Sequence, residues 1–301
     1  MAPMFDAQPS DPVPCALQQH PCFAAALRAC GQDPLMLGGP DPLLVLRRRF
    51  RAGIRLALMS RVATPDPLGL CQRAQEAGLH RHLILLSPDN PTPELARIGA
   101  VPVLTPATLA EIDLTRPPEE RRAALHQKWR NRLRHGKQQG LRVTRRTMPL
   151  KSGHWLLAHE AARQHRLGYR TWPEALTLAY ARENPGAAKL FTAFDGRDPV
   201  AAMLFLRHGH GATYHIGHTT ARGRALSAHN LLLWQAAGWL AAKGHRCLDL
   251  GLIDTRNAPG LARFKLGAGA QARALGGTWA WWPPLGRSLR PLAAMDRMGR
   301  L

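Results

Sequence analysis

Acid is what this chain lacks most. Asp and Glu supply 20 of its 301 residues, against 41 Lys and Arg, so the formal charge is +21 with histidine neutral. A surplus of this size makes either an arginine-rich solvated surface or a field that draws in phosphates, on RNA, on CoA or on anionic lipid. Cysteine is sparse too: Cys15, Cys22, Cys30, Cys71 and Cys247 are odd in number and contain no C-x-x-C pair. That argues against a disulfide framework or a zinc site and fits a reducing cytosol. No run of about eighteen uninterrupted apolar residues occurs, so no membrane-spanning helix is expected. Residues 1–14 carry Asp6, Asp11 and four prolines where a secretory signal would have a basic region and then an apolar one. A cytoplasmic protein is the expectation. Histidine spacings that would gather a metal, H-x-x-x-H or H-E-x-x-H, are missing, as is the G-x-S-x-G of a nucleophile elbow.

What is present is enough to build a sizeable core, since 45% of residues are apolar, and the length suits two domains of ordinary size. Residues 1–20 read as a flexible leader and 21–30 as a short helix. Apolar runs at 35–37, 43–50 and 54–61, with Gly/Pro punctuation between them, predict adjacent antiparallel strands. A helix over 66–77 and strands over 82–86 and 101–105 complete a first mixed unit, 21–115, without a catalytic motif. Pro117, Pro118, Glu119 and Glu120 then start a helix predicted to run to Gln139 and stop at Gly140. Leu125, Trp129 and Leu133 make its buried stripe, with Lys128, Arg130, Arg132, Arg134 and Lys137 beside it. From Arg121 to His159 there are eleven Lys or Arg and no acid, a run that on spacing alone suits a solvated helix face.

Beyond it, helices over 152–167 and 172–182 precede strands over 189–194, 199–207 and 212–218, joined by Gly-containing hairpin turns. A long apolar helix covers 226–243 and Gly244 ends it. A strand follows, ending Cys247-Leu248-Asp249-Leu250-Gly251. After a short loop comes Gly260-Leu261-Ala262-Arg263-Phe264-Lys265-Leu266-Gly267-Ala268-Gly269. Closing strands are expected up to Trp282, within the second unit's sheet. Residues 285–301 read as a basic amphipathic tail.

The aliphatic-Asp-Gly strand end followed by Gly-Leu-x-x-Phe-Lys-x-Gly-x-Gly resembles the C-terminal signature of the FemABX-like branch of the GNAT-fold acyltransferases. Gln127-Lys128-Trp129-Arg130-Asn131-Arg132-Leu133-Arg134 is similar to that family's basic helix leading into its second domain, and the resemblance spans about 118–282. It implies an α/β protein with mixed sheets, in two GNAT-like domains: a degenerate one over 21–115 and an acyltransferase domain over 116–284, joined by the basic helix. It further implies direct, metal-free attack of an acceptor amine on an acyl donor, with no tightly bound cofactor.

The resemblance also implies site residues. Lys265, the lysine of the motif, would stand near the donor and stabilise the oxyanion, with Gly267 and Gly269 giving tight backbone passage behind it. Arg263 would add a contact to the donor's phosphate, with Phe264 beside it in the donor-binding set, although a merely exposed arginine explains Arg263 equally well. Arg222-Gly223-Arg224-Ala225-Leu226-Ser227 occupies the place of the acyl-CoA loop, keeping its arginine but carrying Ala225 and Ser227 where acetyl-CoA users have small glycine-type positions. An ordinary strand-to-helix turn with Ser227 as N-cap explains the same residues. Asp249 suits an amine-orienting or proton-accepting role, or simply a turn cap. Tyr214 and His218 are expected on one strand face, either one suited to carry a proton, though a packed tyrosine and an exposed strand-end histidine explain them as well, with His215 on the other face. The donor is expected to be acyl-CoA or an acyl carrier. Aminoacyl-tRNA, held by Lys128, Arg130, Arg132 and Arg134, is the alternative, and a non-enzymatic RNA-binding module on the same fold is the third reading.

Overall fold

A computed structural model describes residues 16–38, 42–51, 53–63, 66–289 and 291. The chain divides into two compact units, and one interrupts the other in sequence. Residues 18–108 return at 274–301 to form the first, while 109–273 make the second.

The first unit is a six-stranded sheet. Its strands are β1 (Pro34–Leu37), β2 (Leu43–Arg49), β3 (Arg55–Val62), β4 (Leu83–Pro88), β5 (Val101–Leu104) and, from far along the chain, β13 (Thr278–Trp281), in the order β1-β2-β3-β4-β13-β5. β1, β2 and β3 are antiparallel neighbours, as their turn-punctuated sequence predicts, and β3 runs parallel to β4, so the sheet is mixed. Helices α1 (Pro21–Ala29) and α2 (Pro67–Glu76) belong to this unit, and Asp66 caps α2 by accepting from the Leu68 and Gly69 amides. Val45, Ala57, Met59, Ile84, Leu86, Trp279 and Trp281 form its core.

The placement of β13 corrects the expectation that 278–282 close the second unit's sheet. Trp279 pairs with Leu86 on one side and Pro102 on the other, filling the gap between β4 and β5. Two tryptophans in four residues read equally well as a core strand of either sheet, and only long-range pairing decides. The leader expected to reach residue 20 also stops earlier: the Gln19 side chain accepts from the Leu44 amide and donates to the Ser60 carbonyl, tying it to β2 and β3. The rest of that leader, 1–15, and the tail beyond 291 lie outside the described residues.

In the second unit β6 (Thr108–Asp113), β7 (Arg142–Thr147), β8 (Ala188–Asp195), β9 (Asp198–His208), β10 (Gly211–Thr219), β11 (Cys247–Ile253) and β12 (Gln271–Ala274) make a mixed sheet ordered β12-β6-β11-β10-β9-β8-β7. Its helices are α3 (Pro118–Ala123), α4 (Gln127–Gln138), α5 (Trp155–Leu167), α6 (Glu174–Glu183), α7 (Ala221–Ala225), α8 (Ala228–Ala242) and α9 (Pro259–Gly267). α8 is the central one. Leu231, Leu232, Ala236 and Leu240 pack with Phe191, Met203 and Phe205 of the sheet and with Trp129 and Leu133 of α4 in one apolar cluster.

The single basic helix expected over 118–139 is broken at 124–126. Leu125 turns inward and is buried, the His126 amide donates to the Gly267 carbonyl, and the His126 ring then caps α4 by accepting from the Lys128 amide. Tertiary anchoring outweighs helix propensity here. The break leaves a groove of about 670 Å³ whose lining includes Arg122, Arg130, Arg134 and Lys137. Lys128 and Arg132 are exposed on α4 but do not line it.

Candidate active site

Tyr214, His218 and Asp249 lie on two strands that part. β10 and β11 run parallel only from Gly211↔Cys247 to Thr213↔Asp249, whereas β10 continues to Thr219 and β11 to Ile253. One residue past the last pair, β10 bulges: Tyr214 faces Phe205 on β9 but Ile216 faces Leu204, so His215 is an extra residue. A bulge bends its strand and re-aims side chains.

That extra residue overturns the expected faces. Tyr214 keeps company with Phe205 in the apolar cluster under α8, and its hydroxyl lies against Gly217, the next β10 residue on that face. His218, opposite Ala202, leaves by the other face and stacks on His159 of α5, ring centroids 4.1 Å apart. His215 goes that way too, its Nε2 2.9 Å from the Thr177 hydroxyl on α6. Tyr214 and His218 therefore do not share a face, because period-two alternation fails across a bulge.

Lys265 sits on α9 with only 6% of its surface exposed, and its ammonium donates to the Leu252 carbonyl of β11 at 2.7 Å. Gly251 has φ +79°, and a Cβ there would stand 3.5 Å from Lys265 Nζ. Burial pushes the lysine down to about 8, with the Asp249 charge acting in the opposite direction. Asp249 Oδ1 accepts from the Gly251 amide at 2.6 Å, which shapes the strand end that the lysine approaches. The motif glycines serve contact with α4. Gly267 leaves room for Trp129, whose Cδ1 would lie 3.0 Å from a Cβ, and a Cβ on Gly269, at φ +82°, would stand 3.1 Å from that of Ala124. Trp129 Nε1 in turn donates to the Phe264 carbonyl.

The loop from Arg222 to Ser227 is a short helix and a sharp corner. Thr220 caps α7 through the Gly223 amide, and a Cβ on Gly223 would collide with the Val200 carbonyl oxygen. Arg222 pairs with Asp195, and Arg224 donates to the Thr219 carbonyl. Ser227 occupies the N-cap position of α8 without a side-chain cap bond, at φ +53°. A left-handed serine costs about 1 kcal/mol or more relative to glycine. Arg263 is exposed and Phe264 half-buried.

Several neighbours carry no signal in the sequence. His229, in the first turn of α8, lies 2.8 Å from the His218 carbonyl, and burial holds its imidazole down at about 4. His218 is itself lowered, first by burial and then by His159, Arg163 and Arg224. Burial raises the Tyr214 phenol above its ordinary range. Trp155 meets both His159 and His218 edge-on. Nothing in their spacing announces His159, Trp155 or His229, and the α5–β10 contact joins segments about sixty positions apart. Among the described residues no cluster of His, Cys, Asp or Glu could hold a metal ion, and no helix is long and apolar enough to cross a membrane.

Residues 121–266 match the family model of the acetyltransferase (GNAT) domain. Among solved structures the chain is similar to FemX, with 13% identity over 90% of this chain and 93% of that one and a TM-score of 0.72. It is also similar to the C-terminal domain of a putative lysylphosphatidylglycerol synthetase from Agrobacterium fabrum, at 14% identity over 95% and 94% with a TM-score of 0.53. L-PGS from Bacillus licheniformis follows at 12% identity over 96% and 99%, TM-score 0.52. No curated protein matches the sequence. The match to the acetyltransferase (GNAT) domain runs from α3 to α9, and the chain has the fold seen in FemX.

Proposed function

We propose that the protein is an N-acyltransferase that moves an acyl group from an acyl-CoA or acyl-carrier thioester onto an amine in the cytoplasm. The observation that carries this reading is Lys265, a nearly buried ammonium at the point where β10 and β11 separate. An amine entering there attacks the acyl carbonyl directly, and Lys265 stabilises the resulting oxyanion. The two faces of β10 divide the proton work. His218, kept neutral by burial and by its cationic neighbours, takes the proton from the attacking amine, with Asp249 orienting that amine. Tyr214, on the α8 face that also carries the Arg222–Ser227 corner, holds its proton and delivers it to the leaving thiolate. Arg222, Gly223, Arg224, Ala225 and Ser227 take the donor's phosphates, with Arg263 and Phe264 flanking it.

A second reading, aminoacyl-tRNA as donor, draws on the groove lined by Arg122, Arg130, Arg134 and Lys137. Thermal-shift titration with acetyl-CoA, longer acyl-CoAs and charged or uncharged tRNA separates the two. Stabilisation by an acyl-CoA that is weakened in Arg222→Gln supports the first reading. Stabilisation by charged tRNA alone supports the second, and a response to RNA whether charged or not, without transfer, leaves a binding module.

A further inference from the structure

The turn joining β2 and β3 combines exposed apolar and basic residues in a way that neither the first unit's core nor acyl transfer uses. The last ladder pair is Arg49↔Arg55, and beyond it the Phe50 amide donates to the Ile54 carbonyl at 2.9 Å to close the hairpin. Phe50 is 52% exposed and Ile54 55%. Arg48, Arg49, Arg51 and Arg55 are exposed around them. Residues 42–63 hold six arginines and no acid. Arg47, at the base, is paired with Asp33.

We infer that this hairpin tip docks the protein on an anionic lipid surface. A bilayer of acidic lipids matches both halves of the observation. Its headgroups attract the arginines, and its acyl boundary accepts Phe50 and Ile54 while the long arginine stems reach back to the phosphates. The phosphodiester chain of RNA would satisfy the arginines but offers no apolar surroundings to Ile54, which cannot stack on a base as an aromatic ring does.

The test is co-sedimentation of the full chain with vesicles of phosphatidylcholine alone or with added phosphatidylglycerol, beside binding to a single-stranded RNA homopolymer. The wild type binds the phosphatidylglycerol vesicles and not the zwitterionic ones. Phe50→Ser with Ile54→Ser, which leaves the charge unchanged, weakens that binding roughly tenfold or more. Arg48→Gln, Arg49→Gln and Arg51→Gln together also weaken it by at least roughly tenfold, each arginine near such a surface being worth about fivefold. Removing three charges elsewhere, by Arg130→Gln, Arg132→Gln and Arg134→Gln, has a much smaller effect. The inference is overturned by wild-type affinity in the Phe50/Ile54 variant, by equal losses in both arginine triples, or by no vesicle binding at all. It is equally overturned if the tip arginines govern RNA binding while the apolar pair affects nothing.

Discussion

At the scale of single residues the proposed site turns on a lysine whose charge is costly to keep. Lys265→Ala is expected to preserve the fold and to lower kcat/KM about a hundredfold or more, the scale of a lost oxyanion donor. Wild-type turnover by the folded variant removes Lys265 from the site. Its folded value near 8 lies below the ordinary 10.5, so folding disfavours the ammonium. That penalty is present in full below about 8 and fades as pH rises toward 10.5, so the wild type gains stability relative to Lys265→Met across this window. Activity moves the other way if the ammonium is the working form, declining as pH rises through about 8. Lys265→Arg, charged throughout, should hold its smaller activity to higher pH, as a pH–rate profile would record. Ser227→Gly should raise stability by roughly 1 kcal/mol in chemical denaturation, by relieving a left-handed serine. Lys265 was legible because a motif names it. His159 and His229 were not, since a histidine's partners depend on packing that no local pattern encodes.

At the scale of elements, most strands of the second unit were legible to within a residue or two, because turn residues bracket them. Two things were hidden. The extra residue in β10 reverses the sides of Tyr214 and His218, yet the letters still alternate. The break between α3 and α4 comes from a hydrogen bond to Gly267, more than a hundred positions away. The motif glycines have a role here that is separate from catalysis. Gly269→Ala combines a positive φ with contact on Ala124, and Gly267→Ala presses on Trp129. Each is expected to cost about 1–3 kcal/mol in urea unfolding, with activity falling because α9 carries Lys265. If both unfold like the wild type, the α4–α9 contact does not position the site.

At the scale of the whole molecule, composition announced the charge but not its arrangement. The groove side chains Arg130 and Arg134 and the outward Lys128 and Arg132 belong to one helix but to different surfaces. Should tRNA be the donor, Arg130→Gln with Arg134→Gln lowers affinity and flattens its salt dependence by about one unit of slope per lost phosphate contact. Lys128→Gln with Arg132→Gln should leave both nearly unchanged. Filter binding across a salt series reads the difference, and equal slopes in all variants mean the groove holds no phosphates.

The position of β13 sets order of synthesis against order of completion. On the ribosome the first unit emerges first, yet β5 has no strand beside it, and β4 keeps an open edge, until 278–281 arrive. The hydrogen bond between Ser87 and Thr278 spans 191 positions. Meanwhile 109–273 hold a core of their own, closed without β13. A released chain truncated after Arg273 should therefore resist protease within 109–273 while remaining cleavable around 83–104. A sheet begun early is finished late, and its unpaired strand edges stay open until 278–281 reach them.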